Sequence, residues 1–162
     1  MKYAVLWILF TLLTLGAGSL IKRNDRTFPA GVTHRNSMIL EWTFSSAKSR
    51  EIVSDWKTHH AESIAYSGLL IDSLLFIPLY VCALLALSAW AGRGSLAFVI
   101  LAAMVFFTAA FDGLENLFSF LQIRYDFAWA AWQTGTVAVT KWLFGFGTVI
   151  GAFRLLLRKD RV

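Results

Sequence analysis

Phe111-Asp112-Gly113-Leu114-Glu115-Asn116 lies deep inside an apolar run that extends from Leu96 to Ile123. The run exceeds the roughly 20 residues that cross a hydrocarbon core. Asp112, Glu115 and Asn116 are spaced i, i+3, i+4, so they share one face of a helix. Thr108, Ser119 and Gln122 extend that face into one broad polar stripe. The first half of the run, Leu96 to Phe107, carries no such stripe and is lipid-facing or core filler.

Before this run, Ala91-Gly92-Arg93-Gly94-Ser95 is a short turn. It makes the span that precedes it an antiparallel neighbour. That span covers about residues 64–90 and contains one charge, Asp72, and one proline, Pro78. Proline removes a backbone donor and clashes with the carbonyl one turn back, that of Leu74, which predicts a kink beside Asp72. Tyr66, Ser73 and Tyr80 recur at sevens on one side, next to Asp72. After the run, Arg124 to Gln133 is expected to be an aromatic loop at the membrane interface. A further span covers about 134–157, with Lys141 near its start and Gly147 and Gly151 in G-x-x-x-G spacing, which favours close helix contact. At the other end, residues 3–21 form a first span, read as an uncleaved signal anchor. Its Thr11, Thr14 and Gly18 are the expected contact face.

Four spans in 162 residues, with 57% hydrophobic and 15% charged residues, define an all-α, four-helix transmembrane bundle. A soluble chain carries about 25% charged residues. The whole chain reads as one integral membrane domain. Residues 22–63 form its long extramembrane connection, in which an amphipathic interfacial helix is expected from about Ala47 to His60. Ser45-Ser46 would cap it, and Ala47, Ile52, Val53 and Trp56 would form its apolar stripe.

The net charge of +5 fits positive-inside bias and anionic headgroups better than nucleic acid, because the basic residues form no continuous stripe. Arg93 and the basic tail, including Arg158 and Arg161, place both termini in the cytoplasm of a bacterial cell, with the chain in the inner membrane. Lys22, Arg23 and Arg26 weigh the other way. His59-His60 diverge by about 100° on a helix and so make a poor metal site. No metal and no cofactor are expected, and the single Cys82 forms no internal disulfide.

Antiparallel geometry gathers the intramembrane charges. Counted from the ends of their spans at about 1.5 Å per residue, Asp72 and Glu115 lie about 12 Å deep and Asp112 about 16 Å. Lys141 is shallower, with a stem long enough to reach inward or to snorkel out. An ionised Asp near a bilayer centre costs about 2.5–3.5 kcal/mol. The carboxylates must therefore be protonated, paired, metal-bound or wet. The candidate site is a buried polar cluster of Asp72, Asp112, Glu115, Asn116, Tyr80 and Lys141.

Glu41, Trp56, Asp72 with Leu75-Phe76-Ile77-Pro78 and Tyr80, then Asp112, Glu115 and Asn116, resemble a family of small four-span bacterial integral membrane proteins. In that family an acidic amphipathic segment with a tryptophan precedes a span reading roughly D-x-x-F-I-P-x-Y, and a later span carries D-x-x-E-N. Here one more residue separates Asp72 from Phe76. The resemblance implies the four-span fold and the acidic cluster, and no activity.

The first functional expectation is binding of a lipid or hydrophobic small molecule at the acidic cluster, in a cavity lined by these groups and aromatics. A membrane-embedded lipid-modifying enzyme using paired carboxylates is the second. No nucleophile elbow, phosphate loop or zinc motif accompanies it. A transporter lacks a polar path past Phe107. A structural or assembly partner of another membrane protein, or a homo-oligomer, would use the acidic face as a contact.

Overall fold

The computed structural model describes residues 1–159, and Arg161 of the basic tail lies outside them. All regular structure among these residues is helical. We label the helices α1 (Lys2–Asp25), α2 (Ser46–Thr58), α3 (Glu62–Gly92), α4 (Leu96–Tyr125) and α5 (Ala130–Lys159). A short 3-10 turn, Ile39–Trp42, stands between α1 and α2. Helices α1, α3, α4 and α5 are each long and apolar enough to cross a membrane, and they form the four-helix bundle expected from the four runs.

The boundaries differ where helix chemistry extends past the apolar run. Helix α4 continues through Arg124-Tyr125 and is stopped by Asp126 in the left-handed conformation, φ 57°. Helix α5 begins at Ala130, so the aromatic segment expected to be a loop over 124–133 is a loop only over 126–129. Ala130 and Ala131 are good helix formers, and their fully buried side chains favour the helical register. The exposed Trp129 and Trp132 still ring this end, as an interfacial belt would.

The backbone is irregular just before Pro78. A π turn, Asp72–Phe76, immediately precedes it, and the Ile77 N–H donates to Asp72 O. One residue is added to the turn, which absorbs the missing proline donor without breaking the helix. The bulge rotates the register beside Asp72, so that Ser73 and Tyr80 both address α4.

Helix α2 packs down on one end of the bundle. Ser45 caps it, its hydroxyl accepting from Lys48 N. The buried stripe is Ser49, Ile52, Val53 and Trp56. Ala47 is exposed, and Ser49 takes the place expected for it, because its hydroxyl meets a partner below. Ser49 donates to Gln122 Oε1 at 2.6 Å, and Gln122 Nε2 donates to Thr134 Oγ1 at 2.7 Å. Leu40, Ile52, Val53, Trp56, Leu69 and Ile123 form the apolar core beneath this cap. Trp56 Nε1 donates to His34 O at 2.7 Å, and Asp55 Oδ2 accepts from the backbone N–H of Thr33 and His34. The 22–45 segment is thereby held on α2.

Two close approaches fix the remaining helices. Gly147 and Gly151 face Met104 and Leu101 of α4, so the G-x-x-x-G pair is used within the chain. Asn24 at the end of α1 donates to Ile64 O at 2.8 Å. Gly18 faces Phe76 of α3 as expected. Thr11 and Thr14, expected to pack beside it, bond back to Trp7 O and Phe10 O and line an open space.

Candidate functional site

The polar stripe of α4 is buried along its whole length: Thr108, Asp112, Glu115, Asn116, Ser119 and Gln122. It turns inward because every other direction around α4 is apolar and faces lipid or the packed core. Helix α5 supplies the countercharge. Lys141 Nζ donates to Asp112 Oδ1 at 2.6 Å and to Glu115 Oε1 at 3.0 Å. Its residue is 8% exposed, so of the two expectations for its stem, the inward one holds.

Helix α3 completes the cluster. Tyr80 donates to Asp112 Oδ2 at 2.7 Å. Asn116 Nδ2 donates to Asp72 Oδ2 at 2.6 Å and to Ser73 Oγ at 2.9 Å. All six residues expected at the site are therefore in one connected neighbourhood. Two halves can be distinguished. Lys141, Asp112, Glu115 and Tyr80 form a charged half between α3, α4 and α5. Asp72, Ser73 and Asn116 form a second half at the π turn of α3.

One member is absent from the expected set. Glu41, on the 3-10 turn outside the spans, is buried with its carboxyl 3.7 Å from Lys141 Nζ and facing Glu115. Burial pushes the Glu41 carboxyl above its ordinary value, and the Lys141 ammonium opposes that rise. The signal in the sequence was a lone carboxylate in the otherwise apolar Met38–Phe44 segment. The segment is drawn down along α5 by its neighbours: Leu40 is fully buried, and Phe44 seats against Gly135 where a Cβ would collide with its ring.

The charged half opens onto a cavity of about 320 Å³ between α1, α3, α4 and α5. Asp112, Tyr80 and Lys141 line one end of it. Its walls are otherwise almost wholly apolar or hydroxyl-bearing, with Phe76, Leu87, Phe146 and Val149 among them. The far end is near Trp7, whose ring lies 5.8 Å from Trp90 and 6.1 Å from Phe153. Leu15 and Phe146 on the rim are exposed, so the cavity opens sideways between α1 and α5. From Lys141 to Phe153 the wall is about 18 Å long at ~1.5 Å per residue.

No family model, curated protein or solved structure matches this chain. Both oxygens of Asp112 accept from protein donors, Lys141 on one side and Tyr80 on the other. That arrangement fixes a polar surface at the end of an apolar slot. It leaves no free carboxylate oxygen of Asp112 poised as a base in the cavity. Among the described residues no three His, Cys, Asp or Glu side chains gather as a metal-binding group.

Proposed function

We propose that this integral membrane protein binds a lipid or another hydrophobic small molecule in the slot between α1 and α5. The molecule's polar group meets Asp112, Tyr80 and Lys141, and its apolar part lies along the slot. The observation that carries this reading is the cavity itself: one long apolar chamber with every ionisable group at a single end. Ligand pockets have that character, mostly apolar with a few convergent polar groups that fix orientation. A side opening between α1 and α5 supports entry from the bilayer rather than from water.

The engaged oxygens of Asp112 favour binding over catalysis by paired carboxylates, which needs a group free to take a proton from the reacting molecule. The acidic face that a partner protein would have used is buried within the chain and paired to its own Lys141, which weighs against an assembly contact.

The same reading places the chain in a bacterial cytoplasmic membrane with both termini cytoplasmic. Arg93 lies over the Tyr3 ring at 5.5 Å, which puts the 93 turn and the start of α1 at one end. Arg154 and Arg158 lie towards the end of α5, adding to the basic flank of that face.

Native mass spectrometry of the detergent-purified protein tests the binding role. Wild type is compared with Asp112→Asn and with Thr11→Trp, which fills the slot from α1. A defined lipid or small molecule retained by wild type and lost from both variants is the expected result. Wild type that carries nothing specific, with both variants equally stable, would return the cluster to the role of helix contact.

A further inference from the structure

The hydroxyl groups that line the slot have already spent their protons. Thr11 donates to Trp7 O at 2.7 Å, Thr14 to Phe10 O at 2.7 Å and Thr108 to Met104 O at 2.9 Å. A backbone carbonyl only accepts, so the direction of these three bonds is fixed whatever protons the carboxyls carry. Tyr80, the fourth hydroxyl, donates to Asp112 at 2.7 Å. Lys141 stands among carboxyls that take its protons, with Asp112 at 2.6 Å, Glu115 at 2.9 Å and Glu41 at 3.7 Å. The lining residues lie inside helices, where backbone N–H groups are bonded one turn back. What the slot still offers a bound molecule is therefore the lone pairs of hydroxyl oxygens.

These acceptors lie towards the polar end. Gly18 faces Phe76, and Trp7 lies against Trp90, so α1 and α3 run antiparallel along the slot. That register sets Thr14 at about the level of Tyr80. Thr108 is one turn from Asp112 on α4 and faces Gly145, one turn beyond Lys141 on α5.

The shape constrains the other part of the molecule. A volume of about 320 Å³ along a wall of about 18 Å leaves a cross-section on the order of 18 Å², which is narrow enough for one hydrocarbon chain and excludes two side by side. An extended chain advances about 1.2 Å per bond, so roughly 12–15 carbons match that wall.

We infer that the slot takes a single-chain amphiphile whose head donates hydrogen bonds, a hydroxyl or an amide N–H, and discriminates against heads that only accept, such as an ester or a carboxylate. An acceptor-only head would find no free proton there and would be buried with its oxygens unpaired, a loss that separates the two head types by at least about tenfold in affinity. This inference rests on the slot being a binding site, as proposed above.

The test uses the full chain in a steroid-based detergent, which has no linear tail to compete for the slot. Unfolding temperature is followed against the mole fraction of added probe in the micelle, in mildly alkaline buffer. The probes are dodecanol, dodecanamide, methyl dodecanoate, dodecanoate and the branched dodecanol isomer butyl-octanol. Dodecanol and dodecanamide are expected to raise the unfolding temperature saturably, at mole fractions at least about tenfold below the ester, the anion and the branched alcohol. Thr11→Trp, which fills the slot, is expected to abolish the rise. Equal midpoints for dodecanol and methyl dodecanoate, both lost in Thr11→Trp, would overturn the head preference and leave the binding role standing. Equal midpoints for dodecanol and its branched isomer would overturn the single-chain limit in the same way. No rise with any probe, or a rise that survives in Thr11→Trp, would remove both the inference and the binding role of the slot.

Discussion

Lys141 Nζ of α5 lies 2.6 Å from Asp112 Oδ1 of α4, with both side chains buried. This pair is the electrostatic centre of the bundle: Glu115 shares the same ammonium, Glu41 approaches it, and Tyr80 holds the other oxygen of Asp112. A buried pair of this kind adds little net stability over an apolar replacement, but removing one partner leaves an uncompensated charge.

Lys141→Met should therefore destabilise the protein by about 3–5 kcal/mol. Asp112→Asn should cost less, because an amide oxygen can still accept from Lys141 or Tyr80. Reversible unfolding in mixed micelles measures both. Equal losses for the two variants would show that the ammonium is not the keystone.

Tyr80→Phe removes a hydrogen bond to a charged acceptor, worth about 1.5–3 kcal/mol. The ring and its 5.7 Å contact with Phe76 are retained. The expected outcome is a folded protein with that modest loss and weakened retention of any molecule bound in the slot, read by unfolding and native mass spectrometry side by side. Unchanged stability would mean that the Tyr80–Asp112 bond does not persist in the membrane protein.

Glu41 gives the site a pH dependence. Its carboxyl is raised by burial above the ordinary value of 4.5, so the folded state binds a proton more readily than the unfolded state. The stabilisation linked to this group is fully present below the ordinary value and is lost as pH rises through the raised one. Wild type should lose stability over that interval, and Glu41→Gln should flatten the slope. Thermal unfolding over a pH series decides it, and parallel slopes for the two proteins would remove Glu41 from the site.

Two glycines of the spans should respond oppositely to alanine. A Cβ at Gly68 would collide with Ser37, whereas one at Gly113 meets nothing within 4 Å. Gly68→Ala should cost about 1–3 kcal/mol through overpacking. Gly113→Ala should gain roughly 0.5–1 kcal/mol, as expected inside a helix. The same unfolding assay measures both, and a stable Gly68→Ala would show that the 22–45 segment does not seat on α3 as described.

Ser49→Ala cuts the buried link from the α2 cap to Gln122 and leaves Gln122 Oε1 without its donor. A loss of about 1–3 kcal/mol is expected. Faster hydrogen exchange should be concentrated in α2, and exchange spread evenly over the chain would contradict a local role for this bond.

Much of the architecture was legible because membranes impose simple rules. Long apolar runs had to be helices, and the i, i+3, i+4 spacing of Asp112, Glu115 and Asn116 had to face inward. The misreadings have local causes. Tyr125 and Ala130 extend helices that hydropathy would end, because helix propensity and burial continue past the apolar run. Ser49 rather than Ala47 completes the buried stripe of α2, because its hydroxyl meets Gln122 beneath it. The π turn beside Pro78 is a backbone detail that composition does not encode.

By itself the sequence determined four spans, their antiparallel order and the buried polar face of α4, and it named Asp72, Tyr80 and Lys141 as candidates beside that face, because helix periodicity and span length leave few alternatives. The tertiary structure alone decided that Lys141 reaches inward to Asp112, that Glu41 joins it from outside the spans, and that an apolar slot opens between α1 and α5. These are contacts between residues distant in the chain. They depend on how the 3-10 turn and α1 pack against the other helices, and no local pattern of residues carries that information.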